Sequence, residues 1–284
     1  GLRLLDAFCC EGGAARGYAA AGFEVVGVDI EPRFAKRYPY EFHQADAVEF
    51  IRDHGHEFDV IHASPPCQHA SAGTRTQDRS KYPALIEPTR EALIASGRPW
   101  VIENVSGSAL LDPTVLCGSM FGLTTTDDDG TPLRMERHRV FESNVFVWPP
   151  GPCRHDRTVQ VAGAYGAAQR TIAGAKARGG GYVPSKAVVE RLLGVPAGAM
   201  TLHGLYQSVP PAYTARIGRQ LIESQAEWAK NHSYEYLRFE VLNRHRPMLH
   251  LTLMAGYDVV GTRWDSMRSD LLIQFEKALI DELA

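Results

Sequence analysis

Several things are missing from this chain of 284 residues. No apolar run is long enough to cross a bilayer, and the N-terminus has neither the basic nor the apolar block of a signal peptide. Paired cysteines are missing as well. Cys9, Cys10, Cys67, Cys117 and Cys153 show no paired metal spacing, and an odd number cannot all be bridged internally. That fits reduced thiols in a cytosol-like compartment. Cys153 and His155 could touch one metal, but two ligands without a second pair do not make a site, so no metal is expected. A strong charge of either sign is absent too. The formal net charge of −3 excludes little, because the distribution of charge matters more than its total for a partner such as nucleic acid.

What is present is core. A hydrophobic content of 44% is ample for one sizeable core plus a smaller unit. From Leu2 to Ser143 apolar runs alternate with helix-like segments. Leu2–Phe8, Glu24–Val28, Phe58–Ala63 and Trp100–Ile102 read as strands, Ala14–Ala21, Ala47–Asp53 and Glu87–Ser96 as helices, and Arg137–Ser143 as a further strand. This alternation predicts an α/β fold with a doubly wound, mostly parallel sheet over residues 1–143. Asp127-Asp128-Asp129-Gly130 reads as a solvated turn.

The character shifts at the rigid linker Trp148-Pro149-Pro150-Gly151-Pro152. Residues 144–200 form a small basic region. Arg154, Arg157, Arg170, Lys176, Arg178, Lys186 and Arg191 stand against only Asp156 and Glu190, an excess suited to phosphate contact. Lys186–Leu193 reads as a short helix. Residues 201–227 return to the core, largely as a helix over Pro211–Ala229. Residues 228–284 are an extension without a legible motif, expected to be partly helical at Leu271–Leu283. Its near-balanced charge favours an oligomerisation helix over extra nucleic-acid contact.

Four places carry chemistry. In Ser64-Pro65-Pro66-Cys67-Gln68, two prolines end a buried strand, since they cannot extend its ladder, and leave a thiol on a stiff loop at a strand end. Open α/β sheets build their sites there. Asp6-Ala7-Phe8-Cys9-Cys10-Glu11-Gly12-Gly13 joins the first strand to a helix, and its glycines let backbone approach a ligand. Asp29, at the tip of the second strand, is placed to accept from ribose hydroxyls. Asp46, where the third strand should end, suits the exocyclic amine of an adenine. In register, these signals predict a nucleoside cofactor.

Together with Glu103-Asn104-Val105, Arg137-His138-Arg139 and Gln207-Ser208-Val209-Pro210, these segments occur in an order that resembles the cytosine-5 DNA methyltransferase family, of bacterial or phage type. The similarity spans roughly residues 2–222. It implies a Rossmann-like core, a small target-recognition region, S-adenosylmethionine as cofactor with S-adenosylhomocysteine as product, and double-stranded DNA as partner. A monomer in the cytoplasm is implied, that of the bacterial host if the gene is phage-borne, with no membrane and no metal.

The resemblance also implies roles. Cys67 adds to carbon 6 of cytosine and makes carbon 5 nucleophilic. Glu103, after an apolar strand, acts as the acid near N3, where partial burial would keep it protonated. Asn104 holds the nucleophile loop by backbone hydrogen bonds. Arg137 and Arg139 alternate on a strand and so point to one face; one is expected at the base or the Cys67 loop, the other at the DNA backbone. Phe8 packs on the adenine, Gly12 and Gly13 turn around the methionine end, and Asp29 and Asp46 hold ribose and adenine. Cys9, Cys10, Glu11, Ile30, Ala47, Pro66 and Ser208 complete the pocket.

Two departures stand out. Cys10 replaces a usual glycine, and Glu11 replaces a small or apolar residue. Glu11 would repel the cofactor carboxylate unless it turns towards the ammonium or solvent. Met135 stands where relatives carry Gln, and no role is assigned to it.

Carbons 5 and 6 of a stacked cytosine are out of reach, so the base must be flipped. The stretch Gln68–Ser80 could close over it, with Gln68, Ser71 and Arg75 as DNA contacts, while Arg154, Arg157, Arg170, Lys176 and Arg178 carry the target-reading face. Because residues 144–182 are short for such a role, few base pairs are expected to be read. The Cys67–Glu103 pair would serve equally for RNA or a free pyrimidine nucleotide, and a catalytically weak DNA-binding relic is a further alternative.

Overall fold

The computed structural model describes residues 1–66, 84–145, 147–163, 182–231, 236–244, 249, 252–253, 256–266 and 269–278. The apolar runs form the expected strands β1 (Arg3–Ala7), β2 (Glu24–Asp29), β4 (Val60–Ala63) and β5 (Trp100–Asn104), and the largely polar segment Glu41–Gln44 adds β3 at the sheet edge. Helices α1 (Gly13–Ala21), α2 (Ala47–His54) and α3 (Ile86–Ser96) alternate with them. The main sheet continues through β6 (Thr114–Leu116) and β9 (Arg139–Ser143) in the order β3-β2-β1-β4-β5-β9-β6. Its first five strands are parallel, whereas β9 runs antiparallel to both β5 and β6. The predicted α/β class with a mostly parallel sheet is therefore observed.

Burial explains the pattern. β1, β4 and β5 have apolar side chains on both faces, the signature of strands covered on each side. One face packs under α2 and α3, the other under α1 and the returning helix α6 (Pro211–Asn231). α1 and α6 approach so closely that a Cβ on Gly17 would lie 2.0 Å from Thr214 Oγ1 and 2.1 Å from the Pro211 carbonyl. Thr214 Oγ1 also donates to the Ala14 carbonyl at 2.8 Å. This tight crossing carries the chain before α6, including Ser208, back over the first turn of α1.

A second, three-stranded sheet, β10-β8-β7, comprises β7 (Thr124–Thr126), β8 (Pro132–Arg134) and β10 (Gln160–Val161). Asp127–Gly130 is the polar turn of its β7–β8 hairpin, with Gly130 N donating to the Asp127 carbonyl. With α4 (Lys186–Leu193) it buries Leu133, Met135, Val188, Val189, Leu192 and Leu193. Met135 is thus a core residue. The residue-143 boundary passes between strands of this one sheet, since β7 and β8 precede it.

The extension corrects one expectation. Asp270–Ala278, within the segment expected to be partly helical, is a strand, β13, paired antiparallel with β11 (Tyr236–Leu242) and β12 (Asp258–Asp265). Leu271, Leu272, Ile273 and Phe275 suit either structure locally, and pairing on both sides decides for the strand. Among the described residues, no helix is long and apolar enough to cross a membrane.

Candidate active site

The C-terminal ends of β1, β2, β4 and β5 converge on one cavity of about 720 Å³. Of the expected cofactor residues, Phe8, Cys9, Cys10, Glu11, Gly13, Asp29, Ile30, Asp46, Ala47, Pro66 and Ser208 all line it, as do Glu103, Asn104 and Arg139. Gly12 lies behind that surface as the αL N-cap of α1, with φ 81°, and a Cβ there would meet Pro39 at 2.7 Å. Gly13 is equally constrained, for a Cβ would lie 2.5 Å from Ser208 Cβ.

The turn after β1 is unusual. Phe8 and Cys10 adopt positive φ (58° and 48°) although neither is glycine. Such backbone is uncommon for side chains of this size and persists only where its surroundings hold it. Here Cys9 N donates to the Val28 carbonyl, and Cys10 N to Asp29 Oδ2 at 3.0 Å. Asp29 Oδ1 accepts from Glu31 N, also at 3.0 Å. Beneath the turn Asp6 is buried, accepts from the Tyr38 hydroxyl at 3.2 Å, and has its carboxyl pushed well up by desolvation. Ile30, 64% exposed, extends the apolar lining next to Asp29.

Asp46 has two identities at once. It caps α2, with Oδ1 accepting from Val48 N at 2.9 Å and Glu49 N at 3.0 Å, and it borders the cavity. Glu11 resolves the concern over its charge. It is buried and turned to Thr201, accepting from the backbone N and from Oγ1, each at 2.6 Å. Thr201 is the N-cap of α5 (Leu202–Gln207), so Glu11 ties the cofactor-side turn to the C-terminal motif. A Cβ on Gly204 would collide with that carboxylate at 2.3 Å.

On the opposite wall Glu103, 6% exposed, is the penultimate residue of β5. Desolvation pushes its carboxyl up, while Arg139, a hydrogen bond from Ser64 and the charge of Arg137 pull the other way. Arg139 Nε stands 2.9 Å from Glu103 Oε1. Ser64 belongs to a buried chain in which His62 Nε2 meets Ser64 Oγ at 2.9 Å and His62 Nδ1 meets the Tyr18 hydroxyl at 3.0 Å. Burial depresses His62 to about 3, so it serves this chain as a neutral ring. Asn104 Nδ2 donates to the Pro65 carbonyl at 3.0 Å, two residues before Cys67. Pro66, the last described residue of that loop, lines the cavity. Cys67, Gln68, Ser71 and Arg75 lie outside the described residues, as does the stretch to Ser80.

The arginine pair departs from expectation. β9 begins only at Arg139, and Arg137 has φ 26°, so the strand alternation meant to place both on one face does not reach it. Arg137 is 0% exposed and cannot meet a DNA backbone. Its Nη1 donates to the carbonyls of Leu205 at 2.9 Å and Ser208 at 3.1 Å, fastening the C-terminal motif to the sheet.

Arg154 and Arg157 are exposed, whereas Arg170, Lys176 and Arg178 fall outside the described residues. The expected absence of a metal rested on Cys153 and His155 having no companions; in the fold, Cys117 and His138 stand beside them. Residues not assigned from sequence include Ser64, Arg33, Phe34, Met200 and His203 in the lining. Ser64 had a legible signal, its place directly after β4; Arg33 and Phe34 come from a short 3-10 helix, Met200 from the bend before α5 and His203 from α5 itself, all far in sequence from the first strand.

No protein-family model and no curated protein matches the chain. Among solved structures, a Dnmt2 methyltransferase of S. pombe superposes with a TM-score of 0.51 at 13% identity, over 79% of this chain and 99% of that one. A structure described as a DNA modification methyltransferase encoded within an E. coli prophage gives 0.48 at 15% identity, over 78% and 99%. At such identity the likeness establishes the fold, a Rossmann-like methyltransferase fold over most of the chain.

Proposed function

We propose that this chain is a DNA (cytosine-5)-methyltransferase, transferring a methyl group from S-adenosylmethionine to carbon 5 of a flipped-out cytosine by way of a covalent Cys67 adduct at carbon 6. The observation that carries this reading is the shared cavity: the strand-end turn with Asp29 and Asp46 beside it and a buried acid held by an arginine line one space, with the loop leading to Cys67 in its wall.

The residues present fit the cofactor. Asp29 at the end of β2 and Asp46 at the N-cap of α2 offer carboxylate oxygens, Phe8 and Ile30 an apolar slot, and the positive-φ turn at residues 8–12 a close backbone approach. When bound, the cofactor supplies a methyl carried on a sulfonium. The protein supplies the activation. Thiolate addition forms the bond from Cys67 Sγ to carbon 6 and moves ring electrons towards carbon 5, with charge gathering near N3. A protonated Glu103 meets that charge, and its burial favours the protonated form. Arg139 and Ser64 fix the carboxyl's direction. Asn104 pins the peptide at Pro65, so the backbone feeding the nucleophile starts from a fixed point. Exposed Arg154 and Arg157 suit phosphate contact with double-stranded DNA.

The test is trapping on a duplex containing 5-fluorocytosine, with S-adenosylmethionine present. A covalent complex with the wild type that disappears in Cys67→Ala supports the reading. An adduct formed on RNA but not on DNA would overturn the choice of substrate.

A further inference from the structure

Apart from the cavity, one cluster of soft ligands remains unused among the described residues. Sγ of Cys117 and Cys153 and one imidazole nitrogen each of His138 and His155 all lie within 4.8 Å of one another. Their assembly follows from the fold. In the β6–β9 pairing Leu116 stands opposite Arg139, so one further antiparallel step sets Cys117 against His138. Gly118, directly after Cys117, donates to the Glu136 carbonyl at 2.7 Å, and a Cβ on it would meet the Met135 carbonyl at 2.2 Å. The turn presenting Cys117 is therefore pressed onto the segment presenting His138. Cys153 and His155 arrive from the far side of the proline-rich linker, on a Cys-x-His spacing that turns both towards the pair.

We infer that these four side chains form a Cys₂His₂ site for a structural zinc ion. Zn–N bonds near 2.0 Å and Zn–S bonds near 2.3 Å set tetrahedral edges of about 3.3–3.8 Å. Cys117 Sγ lies 3.3 Å from His155 Nε2, His138 Nε2 lies 3.4 Å from Cys153 Sγ, and Cys153 Sγ lies 2.9 Å from His155 Nε2. The widest separation is 4.8 Å at most, within reach of side-chain rotation. Four protein ligands leave no open position, which marks a structural rather than a catalytic site.

The surroundings fit as well. Glu136 Oε1 lies 3.5 Å from His155 Nδ1, the far nitrogen of that ring, as an outer carboxylate does when it fixes a ligand tautomer. Ser119 Oγ donates to Cys117 Sγ at 3.2 Å and lies 3.7 Å from Cys153 Sγ, supporting both sulfurs. Cys117 is buried and the other three reach the surface, which gives the ion an entry path. The bound ion staples the Arg154-bearing segment to the root of β9, whose first residue is Arg139.

The experiment uses the full chain, purified reduced and stripped with a chelator, with zinc chloride and then cobalt chloride as probes. One zinc per chain is expected, with a rise in the thermal midpoint, and cobalt should show thiolate charge-transfer bands and the intense visible bands of tetrahedral coordination. Cys117 is buried, so its replacement can unfold the chain; the surface ligands carry the test instead. Cys153→Ser and His155→Asn should each weaken zinc binding by more than the about 10–100-fold that loss of an outer partner costs. Failure to take up zinc, an octahedral cobalt spectrum, or unchanged affinity in both variants would overturn the site. None of these readouts depends on methyl transfer.

Discussion

The two walls of the cavity rest on different physics. On the wall of residues 8–13, 29–31 and 46–47, the acids already hold protein partners: Thr201 on Glu11, two backbone amides on Asp29, the first turn of α2 on Asp46. Shape is settled there before a ligand enters. On the wall of β4 and β5, Glu103 is defined by its protonation, raised by desolvation and restrained by a guanidinium and a hydroxyl. Changes to the first wall should therefore act on affinity, and changes to the second on rate and its pH dependence.

Glu103→Gln is the strongest attempt to break that division. It keeps size and removes the proton, so single-turnover rates should fall about 10²–10⁴-fold, while calorimetry finds cofactor affinity unchanged. The pH dependence has a definite sign. Because the carboxyl is raised in the fold, its protonated form outlasts that of a free glutamate, and the rate should fall as pH rises through the raised value. Stability follows the same sign: the contribution is full below the unfolded value and is lost as pH rises through the folded one. The variant should flatten both limbs. A matching loss of cofactor affinity would mean that the walls are not separable.

Arg137→Met comes next. It takes its donor from the Ser208 carbonyl, while the Leu205 carbonyl keeps the Ser208 hydroxyl at 3.0 Å, and a buried unsatisfied group costs about 1–3 kcal/mol. The thermal midpoint should drop by several degrees, and cofactor binding should weaken as the C-terminal motif loosens. The salt dependence of DNA binding should not change. A slope shallower by about one would place Arg137 on a phosphate after all.

The fate of this arginine shows what sequence can carry. The inner parallel strands β1, β2, β4 and β5 were legible because buried strands are largely apolar, unlike the polar edge strand β3, and the acids near their ends because α/β sheets build sites there. The Gly12–Gly13 turn follows from the same logic, whereas the role of Asn104 came from the resemblance alone. Arg137 lies off the face of Arg139 because strand alternation starts only at residue 139, after a positive-φ kink that no local pattern announces. Glu11 was legible as a charge problem but not as its solution, since Thr201 is 190 residues away. The same non-locality hid β13, whose partners lie on β11 and β12, and the meeting of Cys117 with His155.

Asp46 offers the finest probe, because cap and ligand contact share one carboxylate. Asn caps a helix about as well as Asp, so Asp46→Asn should leave stability within about 0.5 kcal/mol, whereas Asp46→Ala should cost about 1 kcal/mol. In the Asp46→Asn variant the amide oxygen stays with the Val48 and Glu49 amides, and the NH₂ turns towards the cavity, setting a donor where an adenine amine also donates. If Asp46 binds the cofactor, both variants lose one charge-assisted hydrogen bond, about 1.5–3 kcal/mol, or roughly tenfold or more in affinity. Paired thermal unfolding and calorimetric titration with S-adenosylhomocysteine separate the two roles. An asparagine variant that binds like wild type would reduce Asp46 to a helix cap and leave Asp29 as the acid of that wall.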